Sequence, residues 1–343
     1  MLKKISLMVV AANISYSAFA TDITVISYGG ALQKAQTEAF YKPFQQTSKH
    51  KIISGEYTGE MAKIKAMVNT NKVVWSVVDI ENGDLARACD EGLFERIDPK
   101  ELDLNEENLV KGAITPCGVG YLVYSTALAY NKNKVKTAPK NWSDFWDVKT
   151  NPGKRALRKV PKATLEFALM ADGVKRDEVY KVLATKEGQD RAFKKLDELK
   201  PHIQWWEAGA QPPQFLAAGD VVMSSVYNGR LSGQQRMQYG LEIVWQDALY
   251  ELESWAIPKG AKDQDVAKAF IKFALQAKQQ QEFAQAIDYG VTNLAAMKLL
   301  NPKRAAELPT ADSNIATQLA VNDEFWIDYG EQLTQRFNVW ASK

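Results

Sequence analysis

Strand-like and helix-like segments alternate along the first hundred residues, and this constrains the fold more than any other feature. Asp22–Tyr28 is rich in β-branched residues and stops at Gly29-Gly30, the pattern of a strand entering a glycine turn. Ala31–Gln46 then carries Ala35, Ala39, Phe40 and Phe44 at helical spacing. Lys51–Tyr57 reads as a second strand, Glu60–Asn69 as a helix, Val73–Ile80 as an apolar run and Gly83–Gly92 as a short helix. A nearly continuous apolar run suits a strand covered on both faces. Strands separated by helices at this interval predict α/β layers around a largely parallel sheet.

The alternation continues downstream. Gly118–Tyr130 is strand material, and shorter strands are expected at Ala156–Val160, Ile203–Trp206, Asp220–Ser225, Leu241–Val244 and Trp255–Pro258. Helices are expected over Lys162–Asp172, twice within Asp177–Leu199, as one long helix over Val266–Ala286, and through the tail Ile315–Ser342. A chain of 343 residues exceeds one ordinary core and predicts two lobes.

Met1–Ala20 stands apart from this pattern. Lys3 and Lys4 precede an apolar stretch from Ile5, and Ala18-Phe19-Ala20 fits an A-x-A cleavage site. Residues 1–20 are therefore expected to be a signal peptide. A membrane anchor is disfavoured because Asn13, Ser15 and Ser17 interrupt a stretch already short of the ~20 residues that span a bilayer. Export to the periplasm as a soluble protein follows. Removing Lys3 and Lys4 takes the formal charge from +2 to zero, which argues against a nucleic-acid partner. In an oxidising compartment Cys89 and Cys117, the only two cysteines, are expected to pair.

No catalytic set emerges. The two histidines, His50 and His202, lie in polar stretches, and there is no H-E-x-x-H, G-x-S-x-G or P-loop pattern. Two Cys and two His are too few for a metal scaffold, and no cofactor or metal is expected. What stands out is a series of polar and aromatic residues at strand ends, where open α/β sheets hold ligands. Tyr28 ends the first strand, and Asp79 and Glu81 follow the run from Val73. Tyr227 and Arg230 follow Asp220–Ser225. Glu251 and Glu253 share a face before Trp255, and Tyr289 follows the long helix. Aromatic walls with a few charges suit a small cationic or zwitterionic ligand.

These residues lie in a set of ordered landmarks. They are SYGG at 27–30, VVDIENGDL at 77–85, EGLFERID at 91–98, NWSDFWDV at 141–148 and NPGKRAL at 151–157. GDVVMSSVYNGR at 219–230, SWAIPKGA at 254–261 and YGVTN at 289–293 follow. In this order and spacing the chain resembles the periplasmic substrate-binding proteins of ABC transporters, of the spermidine/putrescine-binding type. The resemblance implies a type II binding-protein fold, two α/β lobes joined by crossing strands and closing on a ligand by hinge motion. Carried over, one lobe is 21–130 plus 245–301 and the other 131–244 plus 302–343. It further implies a monomeric receptor, not an enzyme, that hands its ligand to a membrane permease. The ligand positions it implies are Tyr28, Asp79, Glu81, Tyr227, Arg230, Glu251, Glu253 and Tyr289.

One departure bears on the ligand. After the first strand of the second lobe, where polyamine binders of this type often place carboxylates, the chain has Arg155, Arg158, Lys159 and Lys162. Cations facing a dication would cost affinity, whereas Arg suits a carboxylate. The ligand is thus expected to be a polyamine such as putrescine or spermidine, or an amino-acid-like zwitterion such as an ω-amino acid. The basic stretch is equally expected to form an exposed face. The rival reading is an exported enzyme on the same scaffold, against which the missing nucleophile–base pair counts.

Overall fold

The computed structural model describes residues 21–343; the expected signal peptide lies outside them. Eleven strands form one sheet. They are β1 (Ile23–Ser27), β2 (Ile52–Glu56), β3 (Val77–Glu81), β4 (Ile114–Thr115), β5 (Gly118–Asn131), β6 (Arg155–Arg158), β7 (Ile203–Trp206), β8 (Met223–Tyr227), β9 (Leu241–Ala256), β10 (Gly290–Val291) and β11 (Leu319–Ala320). The main path runs β2-β1-β3-β9-β5-β8-β6-β7. At one end β1 lies parallel to β2 and β3, and at the other β6 lies parallel to β7 and β8. The long β5 and β9 run antiparallel to each other and join the two ends. This is the two-lobed α/β arrangement that the resemblance implied, with helices covering the parallel strands as their crossovers require. Among the described residues no helix is long and apolar enough to cross a membrane.

Two turns show how local sequence sets the layout. β1 ends at Ser27, and Gly29 (φ 73°) and Gly30 (φ 60°) turn the chain into the helix Gly30–Gln36. It is this left-handed backbone that calls for glycine, since a Cβ on Gly29 would meet only the mobile carboxylate end of the exposed Glu56 side chain. Between the lobes, the register of β5 on β9 slips from Thr126↔Leu249 to Leu128↔Val244. The excess residues of β9 bulge out there, with Asp247 at φ 59° and its carbonyl accepting a bond from Trp142 Nε1 at 2.9 Å. Such irregularities bend a strand pair, and this one sits where the strands pass from lobe to lobe.

The first lobe's core packs Phe40, Tyr121, Trp255, Phe270 and Phe283, all unexposed, around β1, β5 and β9. The second packs Trp142, Phe167, Leu196 and Phe337. A smaller cluster with Trp75, Leu85 and Phe94 lies under the helix Asn82–Asp90. Beside it Cys89 and Cys117 form a disulfide, with Cα atoms 5.8 Å apart and a sequence separation of 28. The tail, given by sequence to the second lobe from residue 302 onward, divides. Leu308, with Ala305 and Ile315 beside it, packs into the first core, and Leu319, Val321, Phe325 and Phe337 into the second.

Several element boundaries differ from the sequence reading. β9 is one strand rather than two, because the polar Gln246 and Asp247 belong to a bulge and not to a turn. The long helix expected over Val266–Ala286 is two, Gln264–Ala274 and Ala277–Ala286. Gln276 between them is extended (ψ 146°), and Asn293 Nδ2 donates to the Leu275 carbonyl at 2.8 Å, giving the first helix a partner at its end. The tail is not helical throughout. β11 pairs with Leu249 and Tyr250 of β9 before the helix Asp323–Ala341 begins at its Asn322 cap. β3 begins at Val77 and not at Val73, and β8 runs to Tyr227, which makes that tyrosine the last strand residue.

Candidate ligand site

β3 and β9 build one wall. Asp79 and Glu81 alternate along β3 and so share a face, as do Glu251, Glu253 and Trp255 along β9. The antiparallel register sets Asp79 opposite Trp255 and Glu81 opposite Glu253. Four carboxylates are thereby gathered on one patch.

Asp79 is fully buried. Its Oδ2 accepts bonds from Ser27 Oγ (3.0 Å), Gln36 Nε2 (2.9 Å) and Tyr121 Oη (2.8 Å), while Oδ1 is buried with no partner other than the neighbouring Glu253 carboxyl. Burial pushes its carboxyl up to about 6 against these three donors and the hydrogen bond from Glu253. Glu253 is 9% exposed, and its Oε2 is likewise buried with no other partner. Burial, then the charges of Asp79 and Glu81, hold its carboxyl well above the ordinary range, and Arg230 works against them. Glu81 is half-buried and pushed up to about 7, by burial first and then by Glu251, with Lys162 and Arg158 opposing. Holding like charges this close in a dry patch favours proton uptake unless a cation arrives.

Aromatic side chains flank the patch. Tyr28 stacks on Tyr57 with ring centroids 5.0 Å apart, and the Glu81 amide donates to Tyr28 Oη at 3.4 Å. Tyr57 Oη donates to the Asp79 carbonyl at 2.5 Å. Burial, followed by the charges of Tyr57, Glu253, Glu81 and Asp79, keeps the Tyr28 hydroxyl protonated. On the other side Tyr227 packs edge-on to Trp206 (5.4 Å) and Tyr124 (5.8 Å). Tyr289 is buried with its ring against the backbone of Gly229, where a Cβ would overlap the ring.

The second lobe contributes cations. Lys162 Nζ lies 2.5 Å from Glu251 Oε2. Burial alone would lower its ammonium, but Glu251 and Glu81 outweigh that and hold it above its ordinary value. The Arg158 guanidinium lies 5.5 Å from the Tyr227 ring and 5.8 Å from the Trp206 ring, within cation–π range. Arg230 is exposed at the rim, near enough to Glu253 and Tyr289 to act on both protons. The rest of the basic stretch does not face the site. Arg155 is buried and donates to the carbonyls of Phe145, Gly153 and Asp147, and Lys159 reaches Glu207 at 3.9 Å on the surface.

The structure thus brings Tyr28, Asp79, Glu81, Tyr227, Glu251, Glu253 and Tyr289 together, with Arg230 at the edge. Glu251 is occupied by Lys162, so it joins the two lobes and does not stand free. Sequence reasoning named Arg158 and Lys162 only as members of a basic stretch and not as site residues, although Arg158 ends β6 and Lys162 follows four residues later. It also missed Ser27, Gln36, Tyr57 and Tyr121, the residues that hold Asp79 and Tyr28. Those lie in ordinary strand and helix patterns and carry no local signal.

The two lobes touch beyond the site. Asn228 Oδ1 accepts from the Ser125 amide (2.7 Å), and its Nδ2 donates to the Asp288 carbonyl (2.5 Å). Asp288 Oδ2 accepts from the Gly233 amide at 3.2 Å, and its other oxygen pairs with Arg304.

Comparison with known proteins agrees with this architecture. The family model for bacterial extracellular solute-binding proteins matches residues 35–310. A γ-aminobutyric acid-binding protein of Pseudomonas aeruginosa is 50% identical over 341 residues, covering 99% of this chain and 96% of its own. A spermidine/putrescine-binding periplasmic protein of Salmonella typhimurium is 27% identical over 226 residues, 63% of this chain and 62% of its own. A solved GABA receptor superposes with a TM-score of 0.83 at 33% identity, covering 94% of this chain and 98% of that one.

Proposed function

The chain belongs to the family of bacterial extracellular solute-binding proteins, and on that premise we propose that it is a periplasmic receptor for a short ω-amino acid such as γ-aminobutyrate. The carrying observation is the site's two signs. Asp79 Oδ1 and Glu253 Oε2 are buried on one wall with no donor other than a proton shared between the two carboxyls, while Arg158 and Arg230 lie on the side of the second lobe. A buried acceptor left without a donor is costly, and a ligand ammonium would supply the donor. The ligand carboxylate would face Arg158, with Arg230 behind it, and the methylene chain would lie between Tyr28, Tyr227 and Tyr289. A diamine of similar length would satisfy the acidic wall but set its second ammonium against two guanidiniums. The names of the Pseudomonas protein and the solved GABA receptor favour the same ligand class.

The lobes, 21–130 with 245–301 and 131–244 with the end of the chain, close on the ligand by bending at the β5–β9 bulge. Segment 302–315 travels with the first lobe. The protein acts as a monomer without a cofactor, is exported by cleavage after Ala20, and delivers its ligand unchanged to the membrane permease of an ABC importer. Calorimetry with γ-aminobutyrate and putrescine tests the ligand class. The ω-amino acid should bind at least tenfold tighter, about 1.4 kcal/mol, and Arg158→Ala should narrow the gap. Equal or tighter putrescine binding would overturn the assignment. Mass spectrometry after long incubation should return the ligand intact, and turnover would support an enzyme instead.

A further inference from the structure

The lobes meet at a second place besides the proposed site, around a cavity of about 510 Å³. From the second lobe come Lys132, just past β5, Arg236 on the helix Gly233–Tyr239, and Glu242 on β9. From the first-lobe part of the tail come Lys303, Arg304 and Glu307. Four cations thus face two carboxylates, and both carboxylates are engaged. Glu242 lies 3.3 Å from Lys132, and Glu307 lies 3.7 Å from Arg304. Arg304 is held further by Asp288 and by the carbonyls of Ala284 and Ile287. Two donors are left over. Arg236 Nε is buried without a partner, and Lys303 enters no ion pair within 4.0 Å among the described residues.

We infer that this cavity is an anion site for a phosphate- or sulfate-like dianion held between Arg236 of the second lobe and Lys303 of the first. A guanidinium offers such an oxyanion two parallel donors, and an ammonium adds a point charge. Because its walls come from both lobes, the anion bridges them only when they are together. It therefore favours the same closed form as the ligand in the cleft, and by linkage each ligand raises the other's affinity by one common factor. The first half of this inference stands on the cavity alone. The second rests on the closing motion proposed above.

The test is calorimetric titration of inorganic phosphate into the ligand-free protein, with chloride at equal ionic strength as the control. Phosphate should bind where chloride does not. Arg236→Gln and Lys303→Gln should each weaken it at least tenfold, and Glu242→Gln, which releases Lys132, should strengthen it. Failure of phosphate to bind, or a response that chloride reproduces, would overturn the site. γ-Aminobutyrate affinity should then rise at least threefold at saturating phosphate, with the same factor measured in the reverse order. Phosphate binding that leaves that affinity unchanged would overturn the coupling. Absence of any ω-amino acid binding would count against the proposed ligand and leave the phosphate result standing.

Discussion

Replacing Asp79 with Asn should make the ligand-free protein more stable at neutral pH, and by an amount that depends on pH in a defined way. The Asp79 carboxyl is raised from 3.8 to about 6 by burial. A group raised on folding contributes stability that is fully present below its unfolded value and is lost as pH climbs through its folded value. The rise from 3.8 to about 6 places that loss between about pH 4 and about pH 6, with little further change above it, and makes it on the order of a few kcal/mol. Asn cannot ionise, yet its carbonyl can still accept from Ser27, Gln36 and Tyr121. Glu81 is raised in the same direction and remains in both proteins, as do the surface carboxylates, so the difference between the two isolates residue 79 and its effect on Glu253. Chemical denaturation without ligand, at several pH values across that range, should show wild type losing on the order of a few kcal/mol more than Asp79→Asn. The variant should also bind the ω-amino acid more weakly. Equal pH slopes, or a steeper slope in the variant, would refute the claim that this carboxylate is held at a cost the ligand relieves.

Three further outcomes follow from particular contacts. Gly229→Ala would drive a methyl into the Tyr289 ring; γ-aminobutyrate affinity should fall at least tenfold, about 1.4 kcal/mol, and an unchanged calorimetric isotherm would remove Tyr289 from the site. Lys162→Met should weaken binding by a similar factor because Glu251 loses the partner 2.5 Å away, and adding Glu251→Gln should recover part of the loss if the two act as a pair. Replacing both Cys89 and Cys117 by Ser should lower unfolding stability by about 3–4 kcal/mol, from the loop that the bond closes; denaturation curves that coincide with wild type would contradict this.

The architecture was legible because periodicity survives in single segments. β1 and β2, with the helices that follow β1, announce themselves by alternation and by Gly29-Gly30. The crossing strand β9 was not, because a bulge at 245–248 looks locally like a turn, and pairing with β5 and β3 is what keeps the strand continuous through it. The same applies to the candidate site. Tyr28 follows β1 and Glu81 ends β3, so a rule about strand ends reaches them; Glu253 lies inside β9 and was reached because a strand was expected to begin only at Trp255. Asp79 was reachable too, but its three donors come from β1, from the helix Gly30–Gln36 and from β5, and no spacing in the sequence records that convergence. Arg155 and Arg158 are three residues apart in one basic run, yet one is spent on carbonyls inside the second lobe and the other lies over Tyr227. Charge composition cannot separate them, because burial decides which cation is available.

The position of β9 in the sheet has a consequence for how the polypeptide acquires its shape. In space β9 lies between β3 and β5, although it is made more than a hundred residues after both. Until residues 241–256 are available, the edge of β3 and one edge of β5 have no partner, and neither lobe can complete its layer. Unpaired edges of this length invite association with other chains, and such distant pairings slow the search for the native state. A chain threaded through a membrane from its N-terminus would thus emerge for most of its length without a finished sheet; when β9 arrives the first lobe gains the strand that links β3 to β5 and the second gains its outer strand. Truncation before Leu241 should consequently leave no foldable half, even though two lobes are visible in the finished molecule.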